Sequence, residues 1–343
     1  MFFFPYRAEL SHHRFPILTL IVCVTCAVLT IFQWHLDGKR EDAFAAFCAK
    51  PGGQLYETVL NQVFGKDDEK ACRKLMHHLS RTDDIRGFID QNVIQGLRLK
   101  AYSAPASKEV LATAIIDQYR SFEASVPDAL TPQVWYEPAS LNPLRALTAT
   151  FAHSTWRHLL GNLFFFFAFS AAVETLLGRA RYVAVFISIS LGAFAGNSIM
   201  DYFWSDQPPT LGLSGVVFGM MGLFAWFMPF RGMYCFFWFL IFVRQLVLPA
   251  WLFFVWYVVF DTVQFLVFDG DQNVNLIAHL GGGAMGYGIG LVFLRSTRRR
   301  IISAEADLRT EQVTDTSDFG ANQLETNPVG SIEPGLIKPD SVK

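Results

Sequence analysis

The chain has 343 residues, 52% of them hydrophobic, and 34 of them are phenylalanine. Its formal net charge of −2 gives no strongly basic surface, so we expect no nucleic-acid partner. The apolar residues gather in runs of about 20 with few charges, which is the length that crosses the hydrocarbon core of a bilayer. The composition therefore excludes an ordinary soluble enzyme and predicts an all-α polytopic membrane protein in the lipid bilayer.

Six apolar segments are predicted to span the membrane. In chain order they are 16–34, 159–177, 183–203, 211–228, 249–268 and 276–294. The first could instead be a signal peptide. Its apolar core is longer than a usual signal sequence, and the nearest Ala-x-Ala pattern follows a charged stretch, so an uncleaved anchor is favoured.

Arginines flank the predicted spans at alternate ends, at positions 7 and 14, 179 and 181, 231 and 244, and 295 to 300. The intervening loops 201–206 and 269–271 are acidic. Because Lys and Arg mark cytoplasmic loops, both termini are predicted to be cytoplasmic, in what we expect to be a bacterial inner (plasma) membrane. The aromatic run 231–248 is too short between its arginines to cross, so we predict an interfacial segment on the cytoplasmic face.

Five regions follow from this topology: a cytoplasmic N-terminus (1–15), a first transmembrane helix (16–34), an extracytoplasmic helical insert (35–140), a core with the other five spans (141–295) and a disordered cytoplasmic tail (296–343). The insert is predicted to hold helices at 53–64, 68–79, 84–99 and 108–122, with Asp83 as an N-cap.

Two cysteines, Cys48 and Cys72, lie in the insert, on the side of the membrane where disulfides persist. We expect a bridge between them. The alternative is two unpaired cysteines that act as small apolar side chains.

Reactive polar side chains inside spans indicate function, because they are expensive to bury in lipid. His158 and Asn162 share one face of the second span, Ser214 opens the fourth, and His279 begins the sixth. In the predicted topology these three spans run in the same direction. At about 1.5 Å rise per residue, all four side chains lie within roughly 10 Å of the outer surface.

This set has the components of acyl transfer. A serine hydroxyl needs a base, usually histidine, and the tetrahedral intermediate needs hydrogen-bond donors for its oxyanion. The Asn162 amide, the His158 ring and the Ser214 backbone N–H are candidates. We find no intramembrane Asp placed to orient His279, so the prediction is a Ser–His dyad and not a triad.

Each of these residues also has a non-catalytic interpretation. The Gly212-to-Gly215 sequence could serve only close helix packing. His279 could be a proton relay or a packing residue, and Asn162 could bond across helices. The combination of Ser and His on different spans at one depth favours catalysis.

The pattern resembles the rhomboid family of intramembrane serine proteases. The resemblance covers 144–295 and rests on three motifs: His-x-x-x-Asn at 158–162, Gly-x-Ser-Gly at 212–215 and Ala-His-x-x-Gly-x-x-x-Gly at 278–286. It implies a six-transmembrane-helix bundle in which Ser214 is the nucleophile, His279 the base, and His158 and Asn162 the oxyanion side chains.

The resemblance also implies structural roles for several residues. Gly282 and Gly286 are the small residues that let the sixth span pack against the fourth, and Glu174 is a structural acid at the end of the second span. Arg145 lies in the loop before the second span, and Phe218 is the aromatic residue that stacks on His279. The family often has Trp at the position of Leu144 and Tyr at the position of Phe218. Phe218 keeps an aromatic ring that can stack on the histidine.

By resemblance, the expected activity is endopeptidase cleavage of transmembrane protein substrates near the outer face, with no metal and no cofactor. A non-catalytic relative that binds or escorts membrane proteins is the alternative, although such relatives usually lack the Ser or the His. A transporter would predict inverted-repeat symmetry, which we do not find between the halves.

Overall fold

The computed structural model describes residues 2–8, 10, 15–49, 68–80, 82, 84–95, 105–203, 207–239, 242–267, 275–304 and 306–307. The predicted helix at 53–64 lies outside the described residues. The chain divides into two compact units. The first unit comprises 1–19, 164–189 and 216–343, and the second unit comprises 20–163 and 190–215.

The regular elements follow one another along the chain as a mostly helical series with three strands. They are β1 (Phe2–Ala8), α1 (Ile17–Ala49), α2 (Asp68–Leu79), α3 (Ile85–Ile89), a π turn (Asp90–Ile94), α4 (Pro105–Glu123), α5 (Thr131–Val134), a 3-10 turn (Pro138–Ser140), α6 (Pro143–Ala149), α7 (Trp156–Leu177), α8 (Arg179–Phe203), α9 (Ser214–Phe227), β2 (Gly232–Phe239), β3 (Phe242–Pro249), α10 (Ala250–Val267) and α11 (Leu276–Phe293).

Among the described helices, four are long and apolar enough to cross a membrane: α1, α7, α8 and α11. Two further apolar helices are shorter, at Ser214–Phe227 and Ala250–Val263. The chain is therefore an integral membrane protein, whereas the count of six spans and the sides on which the termini lie stay predictions. Helix α1 also runs 15 residues beyond the predicted end of the first span at residue 34, because Phe44 in this extension is buried in the core of the insert.

The insert, in the second unit, has an apolar core of its own. It is built from the end of α1 with α2, α3, the π turn and α4, and its buried side chains include Phe44, Leu75, Met76, Ile89, Val93, Leu111 and Ile115. Cys48 of α1 and Cys72 of α2 are joined by a disulfide, with 5.7 Å between their Cα atoms.

Two of the described insert helices, α2 and α4, lie close to their predicted ranges. Helix α2 covers 68–79, as predicted, and α4 is a few residues longer than 108–122. The predicted helix at 84–99 is instead a short α3 followed by the π turn. The N-cap of α3 is Asp84, whose side chain accepts a hydrogen bond from the Gly87 N–H, and the predicted cap Asp83 lies outside the described residues.

A compact loop of the second unit precedes α7. Arg145 of α6 donates to the backbone carbonyls of Pro132 and Gln133, which ties α6 to α5. Tyr136 pairs with Thr210 through backbone hydrogen bonds, and its hydroxyl lies 2.6 Å from the hydroxyl of Ser198. These contacts hold the segment before α9 against the loop before α7.

The first unit contains a three-stranded antiparallel sheet in the order β1-β2-β3, which the sequence analysis did not predict within this mostly helical fold. The segment predicted to lie as an interfacial run at 231–248 is the hairpin of β2 and β3. Alternation explains it: Met233 and Cys235 are buried while Phe236 is a third exposed, which is the period of a strand. Aromatic and β-branched residues also fit a pleated surface better than a helix.

Glycines let α9 and α11 approach closely within the first unit. A Cβ on Gly286 would overlap the backbone carbonyl of Gly219, and a Cβ on Gly219 would lie 2.9 Å from the carbonyl oxygen of Gly282. Small residues of this kind are common where membrane helices pack backbone to backbone. The approach fixes α11, which carries His279, against α9.

Two polar contacts fix helix ends in the first unit. The buried Glu174 carboxylate of α7 accepts from the backbone N–H groups of Leu18 and Thr19 at 3.0 and 2.7 Å, and so caps the start of α1. Beyond α11, residues 295–304 are helical, so the predicted disordered tail does not begin at Ser296. Arg298 explains the added order, since it donates to the Phe227 carbonyl and lies 5.0 Å over the Trp226 ring.

Candidate active site

The second unit holds Ser214 at the first position of α9, half-buried and followed by the buried Gly215. The turn before it requires Gly212, whose φ of 126° is rarely adopted by other residues. The Gly212 N–H donates to the Ala149 carbonyl at 2.8 Å, which holds this turn against the end of α6.

Gly212 also lies directly beside the predicted oxyanion side chains. A Cβ at this position would come within 2.8 Å of Cε1 and 2.9 Å of Nε2 of His158, and within 3.7 Å of Nδ2 of Asn162. The structure therefore brings His158 and Asn162 of α7 together at the turn that precedes Ser214.

The Asn162 amide is a buried donor with spare capacity. The side chain is 8% exposed, and Nδ2 has no hydrogen-bond partner among the residues that the structure describes. An unsatisfied buried donor costs free energy, so such a group is a strong candidate to bind an incoming oxygen. The His158 ring is half-buried, and its Nδ1 lies 3.3 Å from the Ser154 hydroxyl.

His153 is a buried histidine that the sequence analysis did not select. Its Nδ1 lies 3.3 Å from the Thr30 hydroxyl, its carbonyl accepts from the Trp34 indole, and its ring centroid is 5.2 Å from that of His158. Burial, together with a smaller effect of the nearby His158, lowers the pKa of His153 to about 3. His153 therefore remains neutral at physiological pH and supports the loop that leads into α7.

The first unit holds His279 in the first turn of α11, which is capped by the Asn275 side chain. The His279 residue is buried, and its imidazole lies flat on the Phe218 ring, with 4.4 Å between centroids and 13° between planes. The predicted stacking partner is therefore in place with phenylalanine in the position where the family often has tyrosine.

The sequence analysis found no Asp placed to orient His279, but the structure places Asp261 of α10 beside this histidine. Nδ1 of His279 lies 2.5 Å from Oδ2 of Asp261, and both side chains are 10% exposed. The sequence did carry a signal: Asp261 is the one charged residue in the 18 residues of α10. The rule that selected His279, that an ionisable group in an apolar segment marks function, applies to Asp261 equally.

The predicted site residues thus fall into three groups. The second unit gathers His158, Asn162 and Gly212 before Ser214 and Gly215; the first unit gathers Phe218, His279, Gly282 and Gly286. The remaining two, Arg145 and Glu174, bind the backbone of α5 and α1 and act as structural ties.

Comparisons with known proteins point to one family over part of the chain. The family model described as the rhomboid domain matches residues 141–296. Three curated relatives are similar over shorter stretches. Rhomboid protein 1 of Saccharomyces cerevisiae mitochondria is 26% identical over 143 residues, which is 40% of this chain and 38% of the relative.

The Bacillus subtilis protein YdcA, which is named for the rhomboid proteases, is 30% identical over 90 residues, or 25% of this chain and 42% of the relative. Rhomboid-like protein 11 of Arabidopsis thaliana chloroplasts is 32% identical over 77 residues, or 22% of this chain and 26% of the relative. The chain spans less than half the length of each of these relatives. Over residues 141–296, fewer than half of its residues, the chain is similar to the rhomboid domain.

Proposed function

We propose that this chain is an intramembrane serine endopeptidase that cleaves transmembrane segments of other proteins near the outer face of the membrane. The setting of His279 carries the proposal: a buried imidazole stacked on Phe218 in an apolar helix bundle. Phe218 lies one turn of α9 after Ser214, and residues four apart share a helix face. This spacing supports a pairing of the Ser214 hydroxyl with the His279 ring.

The reaction proceeds in two steps. In the first, Oγ of Ser214 attacks the carbonyl carbon of the scissile bond while His279 takes the hydroxyl proton. His279 then gives this proton to the leaving nitrogen as the C–N bond breaks, and an acyl-enzyme remains. In the second step a water molecule attacks the ester carbon while His279 takes a proton from the water. His279 then returns the proton to Oγ of Ser214 as the ester C–O bond breaks.

The oxyanion that forms in each step needs donors that are already aligned. The Nδ2 group of Asn162 supports this role, because it is buried and has no partner among the described residues. The His158 ring and the Ser214 backbone N–H complete the donor set. Gly212 keeps the space beside both side chains open.

Substrates follow from the physics of a helix in lipid. Backbone amides of a transmembrane helix are hydrogen-bonded and shielded, so the segment must unwind before Ser214 reaches a carbonyl. Helix-weakening Gly or Pro near the cut and a small residue before it are the expected features. We place the enzyme in a bacterial inner membrane with both termini cytoplasmic and the insert outside.

The alternative is a non-catalytic relative that binds or escorts membrane proteins. The presence of Ser214 and His279 and the unpartnered Asn162 amide favour catalysis. The family name of the Bacillus subtilis relative points the same way.

A direct test reconstitutes the purified full chain in vesicles with a reporter that contains one transmembrane helix with a Gly-Ala pair. Wild type cleaves the reporter, and Ser214→Ala, His279→Ala and the double variant are equally inactive because the two residues act as a unit. Cleavage by Ser214→Ala at the wild-type rate would falsify the proposal. Reporter binding without cleavage by the wild type would support the escort function instead.

A further inference from the structure

Asp261 is a buried carboxylate that the proposed reaction does not yet use. It is the one charged residue of α10 and is 8% exposed. A charge in a membrane helix is costly unless it is compensated. The compensation has to come from a side chain that packs against it.

His279 is that side chain. Oδ2 of Asp261 lies 2.5 Å from Nδ1 of His279, across the contact between α10 and α11. Among the described residues, Tyr257, one turn earlier on the same helix, is another titratable side chain near Asp261. One face of the imidazole is covered by the uncharged ring of Phe218.

The hydrogen bond determines which nitrogen of His279 is available. An ionised carboxylate only accepts hydrogen bonds, and a neutral imidazole has one N–H donor and one acceptor nitrogen. With Asp261 at Nδ1, the hydrogen belongs on Nδ1 and the lone pair on Nε2. This is the tautomer that a base requires if Nε2 is to accept a proton from serine.

We propose that Asp261 is a positioning residue that holds His279 in the tautomer whose Nε2 accepts the Ser214 proton. Its negative charge also stabilises the imidazolium that forms when the proton arrives. The inference rests on the proposed protease function and replaces the predicted dyad with a Ser214–His279–Asp261 arrangement.

A purely structural pair would behave differently. It would hold α10 against α11, so its loss would reduce the fraction of folded protein but leave kcat per folded molecule unchanged. A positioning residue affects the reaction step itself. Its loss lowers kcat while KM, which reflects reporter binding, stays within about twofold.

The kinetic test measures kcat and KM per folded molecule for wild type, Asp261→Asn, Asp261→Glu and Thr262→Val. In serine proteases, Asp→Asn at the orienting position costs up to about 10⁴-fold in kcat, and we expect a loss on the order of 10²-fold or more for Asp261→Asn. Asp261→Glu restores part of this loss, because a carboxylate returns. Thr262→Val is the matched control, since the Thr262 hydroxyl bonds the Val258 carbonyl of its own helix, and it keeps wild-type kcat.

A spectroscopic test reads the tautomer without any catalysis. Nitrogen NMR of the histidine-labelled wild type, with the His279 signals assigned by their absence in His279→Gln, reports which ring nitrogen carries the hydrogen. We expect Nδ1 protonated with a strongly downfield proton, and an upfield shift of that proton in Asp261→Asn. A ring protonated at Nε2 overturns the proposal even if every variant folds poorly.

The two claims fail separately. If Asp261→Asn and Asp261→Glu both keep wild-type kcat while Ser214→Ala is inactive, the protease stands and the role of Asp261 is wrong. If the wild type cleaves no reporter, the protease function fails, and the NMR result alone then decides whether Asp261 sets the tautomer of His279.

Discussion

The insert and the apolar helices use polar side chains in opposite ways. In the insert, Arg86 pairs with Asp90 and Glu109, and these side chains are 39%, 44% and 64% exposed. Exposed pairs of this kind contribute little to stability. The insert instead depends on its apolar core and its disulfide.

Among the described residues of the apolar helices, several polar side chains are buried, and two of these are carboxylates. The Glu174 carboxylate caps α1, and the Asp261 carboxylate bonds the His279 ring. Because an unbonded polar group in such a setting is costly, one that persists has a structural or chemical task. A polar residue therefore carries more functional information in the apolar helices than in the insert, and substitutions should affect cleavage accordingly.

Among variants that keep Ser214, His279 and Asp261, the largest effect should come from Gly212→Ala. The positive φ disfavours alanine, and its Cβ would press on the His158 ring. Displacing one oxyanion donor typically costs on the order of 10² to 10³ in kcat, and reporter kinetics measure this. Gly161→Ala on α7 is the control, because a Cβ there meets nothing within 4 Å. Wild-type kcat in Gly212→Ala would contradict the assignment of His158.

Gly286→Ala should have a smaller effect on cleavage and a clear effect on stability. The added methyl overlaps the Gly219 backbone and pushes α11 away from α9, and such overpacking costs about 1–3 kcal/mol. Thermal melting in detergent and reporter kinetics both report it. Gly288→Ala, two residues further along α11, is the control and should match the wild type, because a Cβ at this position meets nothing within 4 Å. Equal melting temperatures and rates for Gly286→Ala and Gly288→Ala would contradict the close approach of α9 and α11.

Acidification tests the neutral state of His153. Its pKa is lowered to about 3 by burial and by His158, whereas in the unfolded chain it is about 6.5. Between these values the unfolded chain binds one more proton, so the free energy of unfolding falls as the pH is lowered from 6.5 towards 3. The melting temperature of wild type should fall more steeply over this range than that of His153→Gln. Parallel curves would show that His153 is accessible to protons.

The smallest effect on cleavage should come from the insert disulfide. Cys48→Ser opens a bridge between residues 24 positions apart, and loss of such a bridge typically costs about 2–4 kcal/mol of stability. The insert should melt earlier while kcat per folded molecule stays at the wild-type value. Peptide mapping without reduction checks the bridge itself, and recovery of Cys48 and Cys72 as free thiols would contradict it.

The sequence was most informative where the physics is local. Helices α2 and α4 follow from apolar periodicity, and the long apolar runs predict α1, α7 and α8. The hairpin of β2 and β3 was missed because its aromatic residues are equally apolar in a helix. The pairing of β2 with β1, which lies more than 200 residues away in sequence, is a contact that no local pattern predicts.

The site was predictable where a motif carried it. His158, Asn162, Ser214 and His279 stand in recognisable spacings, whereas Asp261 precedes His279 by 18 residues and belongs to no motif. His153 was missed because a buried neutral histidine has no sequence signature. Contacts between segments that are separate along the chain, and not spacing along one helix, give both residues their partners.

The central claim is that Ser214 is a nucleophile activated by His279, and a serine-directed fluorophosphonate tests it most directly. The probe should label the purified wild-type chain at Ser214, as read by mass spectrometry of the modified peptide. Ser214→Ala should not be labelled, and His279→Ala should be labelled far more slowly because the hydroxyl has lost its base. Labelling of His279→Ala at the wild-type rate, or of the wild type at another serine, would contradict the account.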